Sequence, residues 1–247
     1  MQSLEGKIAL VTGAAGVLGG AVTRGFVAKG VKVAMVDLDT DRLDALSDDL
    51  GDGVMSVPMD VSSDDAITQG LADIQLAWGD PDILVNNAGI LTNNKSAETS
   101  IDEWRKVMSV NLDGAFYLAR RCLPAMKEKA WGRVINICSL AAKTGGLTAG
   151  TAYTTSKGGM SALTFSLARE VAGDGVTVNG IAPAYIKTPM VMEQLTEEQR
   201  QKLLKDIPVG RFCDGEEVAH VVEFLASPVS GFITGEVVDI NGGLHLD

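Results

Sequence analysis

The hydrophobic positions of this chain fall into short continuous runs that alternate with amphipathic segments. Continuous apolar runs of this length are typical of strands that are covered on both faces. Seven such runs occur, at 8–11, 31–36, 54–57, 83–85, 134–137, 176–181 and 237–240. Segments with the helical period lie between them, at 18–28, 41–49, 64–78, 101–129, 152–172 and 216–226. This alternation predicts a doubly wound α/β fold, with a Rossmann-like, mainly parallel sheet of seven strands and helices on both faces.

Nothing in the pattern divides the chain into two units, so we expect a single nucleotide-binding domain over residues 1–247. The rhythm breaks once, at 189–208, which is rich in Met and Gln and lies between the sixth and seventh strands. A surface helical hairpin would explain this segment. We favour a substrate lid, because the sites of α/β proteins form at the carboxyl ends of strands.

Charge and composition narrow the function classes. The net charge is −11, which argues against nucleic acid or an anionic membrane as a partner. The chain has three scattered cysteines and two histidines without metal-ligand spacing, so we expect neither a metal site nor a disulfide framework. It shows neither a signal-like leader nor a long apolar segment, which predicts a cytoplasmic protein.

A Gly-rich turn follows the first strand and opens the first helix. Backbone N–H groups of such a turn can meet a pyrophosphate. Its candidate contacts are Gly13, Ala15, Gly16, Val17, Leu18 and Gly19. The second strand ends at Asp37, followed by Leu38, and a carboxylate there suits a ribose 2′-hydroxyl and repels a 2′-phosphate. We therefore expect NAD rather than NADP, although Asp37 could also be one carboxylate of an acidic loop.

Two further strand ends carry candidate cofactor contacts. Asp60 and Val61 follow the third strand and could meet an adenine ring, or they could form an ordinary turn. Asn87, Ala88 and Gly89 follow the fourth strand, where small residues allow a cofactor to approach closely and an Asn amide can tie two strands. The alternative for this run is a turn that merely ends the strand.

Tyr153 and Lys157 stand four residues apart in a helical segment, so both lie on one face of the helix. An ammonium beside a phenol stabilises the phenolate, which lowers the pKa of the tyrosine and suits it to exchange a proton with an alcohol or ketone. Alone, such a pair is more often a packed ring beside a solvated amine. Its meaning depends on the rest of the chain.

Together these motifs resemble the short-chain dehydrogenase/reductase family over nearly the whole chain. The residues that carry the resemblance are Thr12 to Gly19, Asp60, Asn86 to Gly89, Asn111, Ser139, Tyr153, Lys157 and Asn179 to Thr188. The resemblance implies that a nicotinamide cofactor interconverts a secondary alcohol and a ketone. It also implies a homotetramer, or else a dimer, in which the helices at 111–129 and 152–172 pair across a two-fold axis.

The resemblance also implies roles for single residues. Ser139 would orient the substrate oxygen, Tyr153 would act as general acid and base, and Lys157 would lower the pKa of Tyr153 and bind the nicotinamide ribose. Asn111 would hold a water that links Lys157 to solvent. The nicotinamide carboxamide would contact Pro183, Ile186 and Thr188. The substrate would contact Ser139, Tyr153, Gly146 and Tyr185.

Three positions depart from the family pattern. Val17 stands where Gly is usual, and its methyl groups could crowd the pyrophosphate. Ala184 also stands where Gly is common, for which we expect a modest backbone adjustment. The segment from Ser139 to Tyr153 is one residue longer than usual, with its tip at 145–150.

The main hypothesis is an NAD-dependent dehydrogenase or reductase of a small polyol, sugar or related carbonyl compound. The alternative enzyme is a 3-oxoacyl-[acyl-carrier-protein] reductase. That reaction usually uses NADPH, which Asp37 disfavours, and Asp174 and the net charge of −11 oppose docking of an acidic carrier protein. A non-catalytic NAD-binding sensor is the third hypothesis, and the intact catalytic set counts against it.

Overall fold

The computed structural model describes residues 3–188 and 196–246. All seven predicted strands form. Their bounds are Ile8–Thr12 (β1), Lys32–Asp37 (β2), Val54–Pro58 (β3), Ile83–Asn86 (β4), Gly132–Ile137 (β5), Val176–Pro183 (β6) and Val237–Ile240 (β7). They form one sheet in the order β3-β2-β1-β4-β5-β6-β7, and every strand pair is parallel. The predicted fold class is therefore confirmed.

Helices connect the strands across both faces of the sheet. Within the described residues they are Val17–Val27 (α1), Thr40–Leu50 (α2), Asp64–Ala77 (α3), Ile101–Met108 (α4), Gly114–Glu128 (α5), Ala141–Thr144 (α6), Thr151–Val171 (α7), Glu197–Asp206 (α8) and Gly215–Ala226 (α9). Several begin where the sequence places a capping side chain. Ser63 accepts from the Ala66 N–H at the start of α3, and Ser100 accepts from the Glu103 N–H at the start of α4.

The core has two layers, one on each face of the sheet. Ala9 and Val11 of β1 belong to the layer under α1 and α9, whereas Ile8 and Leu10 belong to the layer under α3, α5 and α7. Because successive side chains of a strand point to opposite faces, a strand covered on both sides is apolar at most of its positions. This explains the continuous apolar runs in the sequence.

The segment predicted as one helix at 101–129 is interrupted. A π-helical turn at Ser109–Asp113 separates α4 from α5. Gly114, just after it, lies so close to Val61 that a Cβ would be 2.5 Å from the Val61 carbonyl oxygen. Such a local widening of a helix is often found at functional sites, and here it contains Asn111.

The strand order reverses at β1, which has β2 on one side and β4 on the other. Crossovers therefore leave in opposite directions from neighbouring strands, and a crevice opens at their carboxyl ends. The predicted lid follows β6 at this same edge. Its residues 189–195 lie outside the described residues, and α8 occupies most of the remainder.

Candidate active site

The Gly-rich turn is fastened to the fourth strand. Gly13 has a φ of 66°, and a Cβ there would lie 2.8 Å from the Asn87 side-chain nitrogen. That nitrogen donates to the carbonyl oxygens of Thr12, at 2.8 Å, and Gly13, at 3.1 Å. Thr12 in turn accepts from the backbone N–H groups of Asn87 and Ala88, both at 2.9 Å. The prediction that an Asn amide ties two strands is thus confirmed.

The first helix presents an open amino end to the crevice. Gly16 at its N-cap has no side chain to cap the helix, and the first turn carries no acidic residue. Gly19 packs against the turn, since a Cβ there would overlap the Gly13 carbonyl. An uncapped helix start beside a glycine turn suits the phosphate groups of a dinucleotide.

Val17 does not close this site, despite its departure from the family pattern. Its Cγ1 faces α9, where a Cβ on Gly215 would lie 3.3 Å away. Gly215 therefore leaves the room that the Val17 side chain uses. Ala184 needs no adjustment of the kind expected, because its φ is not in the left-handed region, and its N–H donates to the Ile240 carbonyl at 2.9 Å.

Asp37 holds the turn as well as lining the crevice. One carboxylate oxygen accepts from the Ala15 N–H at 3.0 Å, and the other accepts from Leu38 at 2.7 Å and Asp39 at 3.2 Å. A carboxylate has about four acceptor positions, so these bonds leave room for a further donor. The acidic-loop interpretation is thus correct in part, since Asp37 stabilises its own loop.

The turn and the strand ends enclose a groove of about 770 Å³. It is lined by 13–21, Arg24, Asp37, Arg42, Ala45, Leu46, 87–89, Thr188 and Glu216. Both arginines of this lining are paired with carboxylates, Arg24 with Asp49, and Arg42 with Asp39 at 3.3 Å. The groove therefore offers an uncapped helix start and a carboxylate, with its arginine charges already matched.

Tyr153 and Ser139 lie between two cavities. The first contains Lys157 and shares Leu18, Asn87, Gly89 and Thr188 with the groove, and the second lies on the other side of the pair. Ser139 follows β5 and Tyr153 lies in the first turn of α7, and the Ser139 hydroxyl is near enough to the phenol to act on its pKa. Ser139 also accepts from the Ala141 N–H at 3.1 Å, which fixes its side chain at the start of α6. Both residues line the cavities on either side of this point. A carbonyl compound in these cavities would meet two hydroxyls together.

Lys157 is buried behind Tyr153. Only 3% of its surface is exposed, its Nζ lies 5.9 Å from the centre of the Tyr153 ring, and it donates to the Ile137 carbonyl at 2.7 Å. A Cβ on Gly89 would be 3.5 Å from this nitrogen, and Gly89 and Lys157 line the same cavity. Burial lowers the pKa of Lys157 from 10.5 to about 8.

Burial raises the pKa of Tyr153, although its hydrogen bond with Ser139 acts in the opposite direction. The structure therefore does not show the expected lowering of this pKa by Lys157. The ammonium is directed to the Ile137 carbonyl, and removing the phenolate from water costs more than the hydroxyl contact returns.

Asn111 organises the residues around this pair. Its side chain accepts from the Ile90 N–H at 2.8 Å and donates to the Ile90 carbonyl at 3.0 Å. It also donates to the Ser156 hydroxyl at 3.0 Å, and that hydroxyl donates to the Tyr153 carbonyl at 2.7 Å. Ser156 was missed by the sequence reasoning, although its position three residues after Tyr153 on the same helix is a usable signal. The water at Asn111 stays a prediction.

The cavity beside Tyr153 that does not contain Lys157 is small and mainly apolar, with a volume of about 100 Å³, and we call it the substrate cavity. Its lining consists of Leu91, Asn93, Ser139, Leu140, Ala141, Thr144, Leu147, Thr148, Ala149, Tyr153, Ala184 and Tyr185. The hydroxyls of Thr148 and Tyr185 lie 3.1 Å apart, so the tip of the 139–153 segment touches the chain after β6. Among the residues that the structure describes, no charged side chain belongs to this lining, which suits an uncharged part of a substrate.

The structure brings together most of the predicted site, but not all of it. Leu38 is 70% exposed, Val61 is buried in the core, and Asp60 accepts from the Ser62 N–H and hydroxyl. Gly146 is buried against α7. These four residues lie outside the linings of the groove and the two cavities, whereas Pro183, Ile186 and Thr188 line the cavity around Lys157.

A comparison with known proteins identifies the family of this chain. A family model described as Enoyl-(Acyl carrier protein) reductase matches residues 13–245. The chain belongs to the short-chain dehydrogenase/reductase family. It is therefore an oxidoreductase that uses a nicotinamide cofactor, as the groove and the Tyr153/Lys157 pair indicated.

Full-length relatives point to a narrower activity. The 3-oxoacyl-[acyl-carrier-protein] reductase FabG of Salmonella typhimurium is 39% identical over 246 residues, which are 99% of this chain and 100% of that protein. The enzyme with the same description from Vibrio cholerae is 40% identical over the same shares. A Brucella melitensis structure described as a short-chain dehydrogenase/reductase, glucose/ribitol dehydrogenase, has a TM-score of 0.92 and 35% identity, with both chains covered completely.

Two further findings concern the described residues alone. None of their helices is long and apolar enough to cross a membrane. Nor do residues 3–188 and 196–246 contain a group of three or more His, Cys, Asp and Glu side chains that could hold a metal ion.

Proposed function

We propose that this protein catalyses reversible hydride transfer between NAD(H) and a secondary alcohol or ketone, and that its leading substrate is a 3-oxoacyl thioester. The observation that carries the chemistry is that Ser139 and Tyr153 both line two cavities, the one that contains Lys157 and a mainly apolar one.

The chain's own residues supply the proton chemistry. The cofactor, when bound, supplies or accepts the hydride. In reduction, Tyr153 donates its proton to the substrate oxygen while Ser139 donates a hydrogen bond to the same oxygen. In oxidation, Tyr153 takes the proton back. Lys157 keeps an ammonium 5.9 Å from the centre of the Tyr153 ring, and its role in this proposal is to favour the phenolate once the proton has been donated.

Asp37 is the basis for proposing NAD rather than NADP. Its carboxylate lines the groove at the end of β2. The 2′-phosphate of NADP would bring further negative charge next to this carboxylate. The two arginines of the groove could offset that charge, but they are already paired with Asp39 and Asp49. The 2′-hydroxyl of NAD needs only the acceptor that Asp37 still offers.

The comparisons favour a 3-oxoacyl thioester as the substrate over the small polyol or sugar that was the main hypothesis. The full-length curated relatives are named for 3-oxoacyl reduction. The cavity supports this choice, because Leu91, Leu140, Leu147 and Ala184 offer an acyl chain more apolar surface than a polyol would use.

A sugar or polyol is the second candidate. It is supported by the solved Brucella melitensis relative described as a glucose/ribitol dehydrogenase. Thr144, Thr148 and Tyr185 also bring hydroxyls to the cavity, and these could bind substrate hydroxyls.

The net charge argues against delivery of the substrate by an acidic carrier protein. The chain carries −11, and Asp174, which we expected to oppose docking, is paired with Lys127 at 3.0 Å. Because that pair neutralises the carboxylate locally, Asp174 repels a carrier less than its charge suggests. We propose that an uncharged short thioester is used at least as well as the same acyl group on carrier protein.

A substrate panel tests this proposal. Purified protein is given NADH or NADPH with 3-oxoacyl N-acetylcysteamine thioesters, the same acyl groups on carrier protein, and simple ketones, and NAD with ribitol or glucose. Oxidation or reduction of the cofactor is followed by absorbance. We expect the highest kcat/KM with a thioester and NADH. Turnover of polyols alone would establish the second candidate, and equal use of NADPH would remove the argument from Asp37.

We also propose one domain with 189–208 as its lid, and assembly into a homotetramer. Leu203 and Ile207 of the described part of this segment pack with Phe212 beside Tyr185, which places α8 next to the substrate cavity. Phe116 of α5 and Phe165 of α7 are 42% and 51% exposed, as expected for helices that pair with another copy. Light scattering in solution tests the assembly.

A further inference from the structure

The lengthened segment before Tyr153 is docked on the chain that follows β4. The Gly150 N–H donates to the Thr92 carbonyl at 2.7 Å, and the Thr151 N–H donates to the Asn94 carbonyl at 3.0 Å. A Cβ on Gly150 would lie 2.5 Å from the Asn94 carbonyl oxygen, so only glycine allows this close approach. These contacts connect residues 92–95 to the start of α7.

Lys95 extends this docking to the tip of the segment. Its Nζ donates to the Gly146 carbonyl at 2.8 Å and to the Ala149 carbonyl at 2.7 Å. One ammonium thus bridges two carbonyls three residues apart, and hydrogen bonds from a charged donor are stronger than neutral ones. The two residues that it encloses, Leu147 and Thr148, both line the substrate cavity.

The bridged turn is also fixed on its other sides. Gly146 has a φ of 78°, and a Cβ there would overlap the Thr154 hydroxyl of α7. Thr148 reaches the Tyr185 hydroxyl across the cavity. Gly150 is the N-cap of α7, three residues before Tyr153. The position of the Lys95 ammonium is therefore coupled to the cavity wall and to the helix that carries Tyr153.

We propose that Lys95 is a positioning and specificity residue, which holds the tip of the 139–153 segment so that Leu147 and Thr148 form the wall of the substrate cavity. This rests on the proposed function, since it assumes that the cavity beside Tyr153 receives the ketone. Lys95 does not touch the reacting atoms in this account. It acts through the two carbonyls and the turn between them.

A purely structural role would predict that the loss of Lys95 lowers the free energy of unfolding of the whole protein, and the proposal predicts otherwise. Lys95 itself is exposed and its two hydrogen bonds are only partly buried, so water can replace the ammonium at both carbonyls and the loss of Lys95 should change global stability little. Its effect should appear in the order of the turn and in substrate binding. Cofactor binding, which uses the other end of the groove, should not change.

The test uses Lys95→Met in the full-length protein, with Lys95→Arg as the conservative variant. Lys127→Met is the matched control, because Lys127 also carries an ion pair but lies in the last turn of α5, at the opposite edge of the sheet. Hydrogen–deuterium exchange of residues 144–152 reports the order of the turn. Steady-state kinetics with the best ketone of the panel separates KM from kcat, and NADH titration reports the cofactor site.

For Lys95→Met we expect faster exchange in 144–152, a KM raised about tenfold, and unchanged NADH affinity. The tenfold rise in KM corresponds to about the free energy of one charge-assisted hydrogen bond. Lys95→Arg should restore KM to within about threefold of the wild type, because its fork also reaches two acceptors. Unchanged exchange would overturn the proposal, as would faster exchange with an unchanged KM. If the wild-type protein reduces no ketone, the proposed function fails, and the exchange data still decide whether Lys95 holds the turn.

Discussion

Replacing Lys157 by Met should stabilise the cofactor-free protein while removing its activity. Lys157 is 3% exposed and its burial lowers its pKa from 10.5 to about 8. At 1.36 kcal/mol for each pKa unit, keeping this ammonium charged at neutral pH costs about 3 kcal/mol. Met fills a similar volume without the charge. It leaves the Ile137 carbonyl without its donor, which costs about 1 kcal/mol.

The net expectation is a gain of about 2 kcal/mol in the free energy of unfolding near neutral pH. The gain should depend on pH in a definite direction. Between pH 8 and 10.5 the unfolded chain holds the lysine proton and the folded chain has lost it, so the wild-type protein becomes more stable as pH rises. The advantage of Lys157→Met should therefore be complete below pH 8 and vanish towards pH 10.5.

Urea unfolding of both proteins at equal concentration, at neutral pH and near pH 10, measures this difference. Lys127→Met serves as the control, because Lys127 is 41% exposed and its ion pair should contribute little. A variant that is less stable than the wild type at neutral pH would refute the reasoning. So would a stability difference that stays constant across the two pH values.

Two further substitutions test the cofactor groove. Asp37→Asn with Leu38→Arg should shift the preference from NADH towards NADPH, because the Asn oxygen can still accept from Ala15 while the repelling charge is gone. Asp41→Arg with native Asp37 and Leu38 is the charge-matched control, and an unchanged NADPH/NADH ratio of kcat/KM in the double variant would show that other groups select the cofactor. Val17→Gly should change NADH affinity less than about threefold, because the side chain faces Gly215. A large gain in affinity by fluorescence titration would show that Val17 crowds the phosphates.

Much of this architecture follows from the hydrophobic pattern, for a physical reason. A strand covered on both faces is apolar at most of its positions, so all seven strands are visible as runs, and parallel strands bring their carboxyl ends to one edge. The residues that follow those ends, such as Asn87 and Ser139, then meet at one crevice. Local spacing in the sequence was sufficient for this part of the site.

The sequence could not reveal contacts that depend on long-range geometry. The π-helical turn around Asn111 is only five residues long, too short to disturb the helical period of the segment visibly, so the pattern predicted one uninterrupted helix. Lys95 gave no signal, because a lysine in a polar loop is indistinguishable from a solvated one until the loop at 146–149 is placed beside it. The pKa of Tyr153 depends on the depth of burial, which the spacing to Lys157 does not determine.

The central claim is that Tyr153 exchanges the proton of the substrate. Tyr153→Phe removes only the hydroxyl and leaves Lys157, Ser139 and the groove in place. The measurement is turnover of the best substrate by NADH absorbance, with NADH binding followed in the same preparation. We predict unchanged NADH affinity and a loss of kcat of about a hundredfold or more. A variant that binds NADH and retains kcat within about threefold of the wild type would contradict the account.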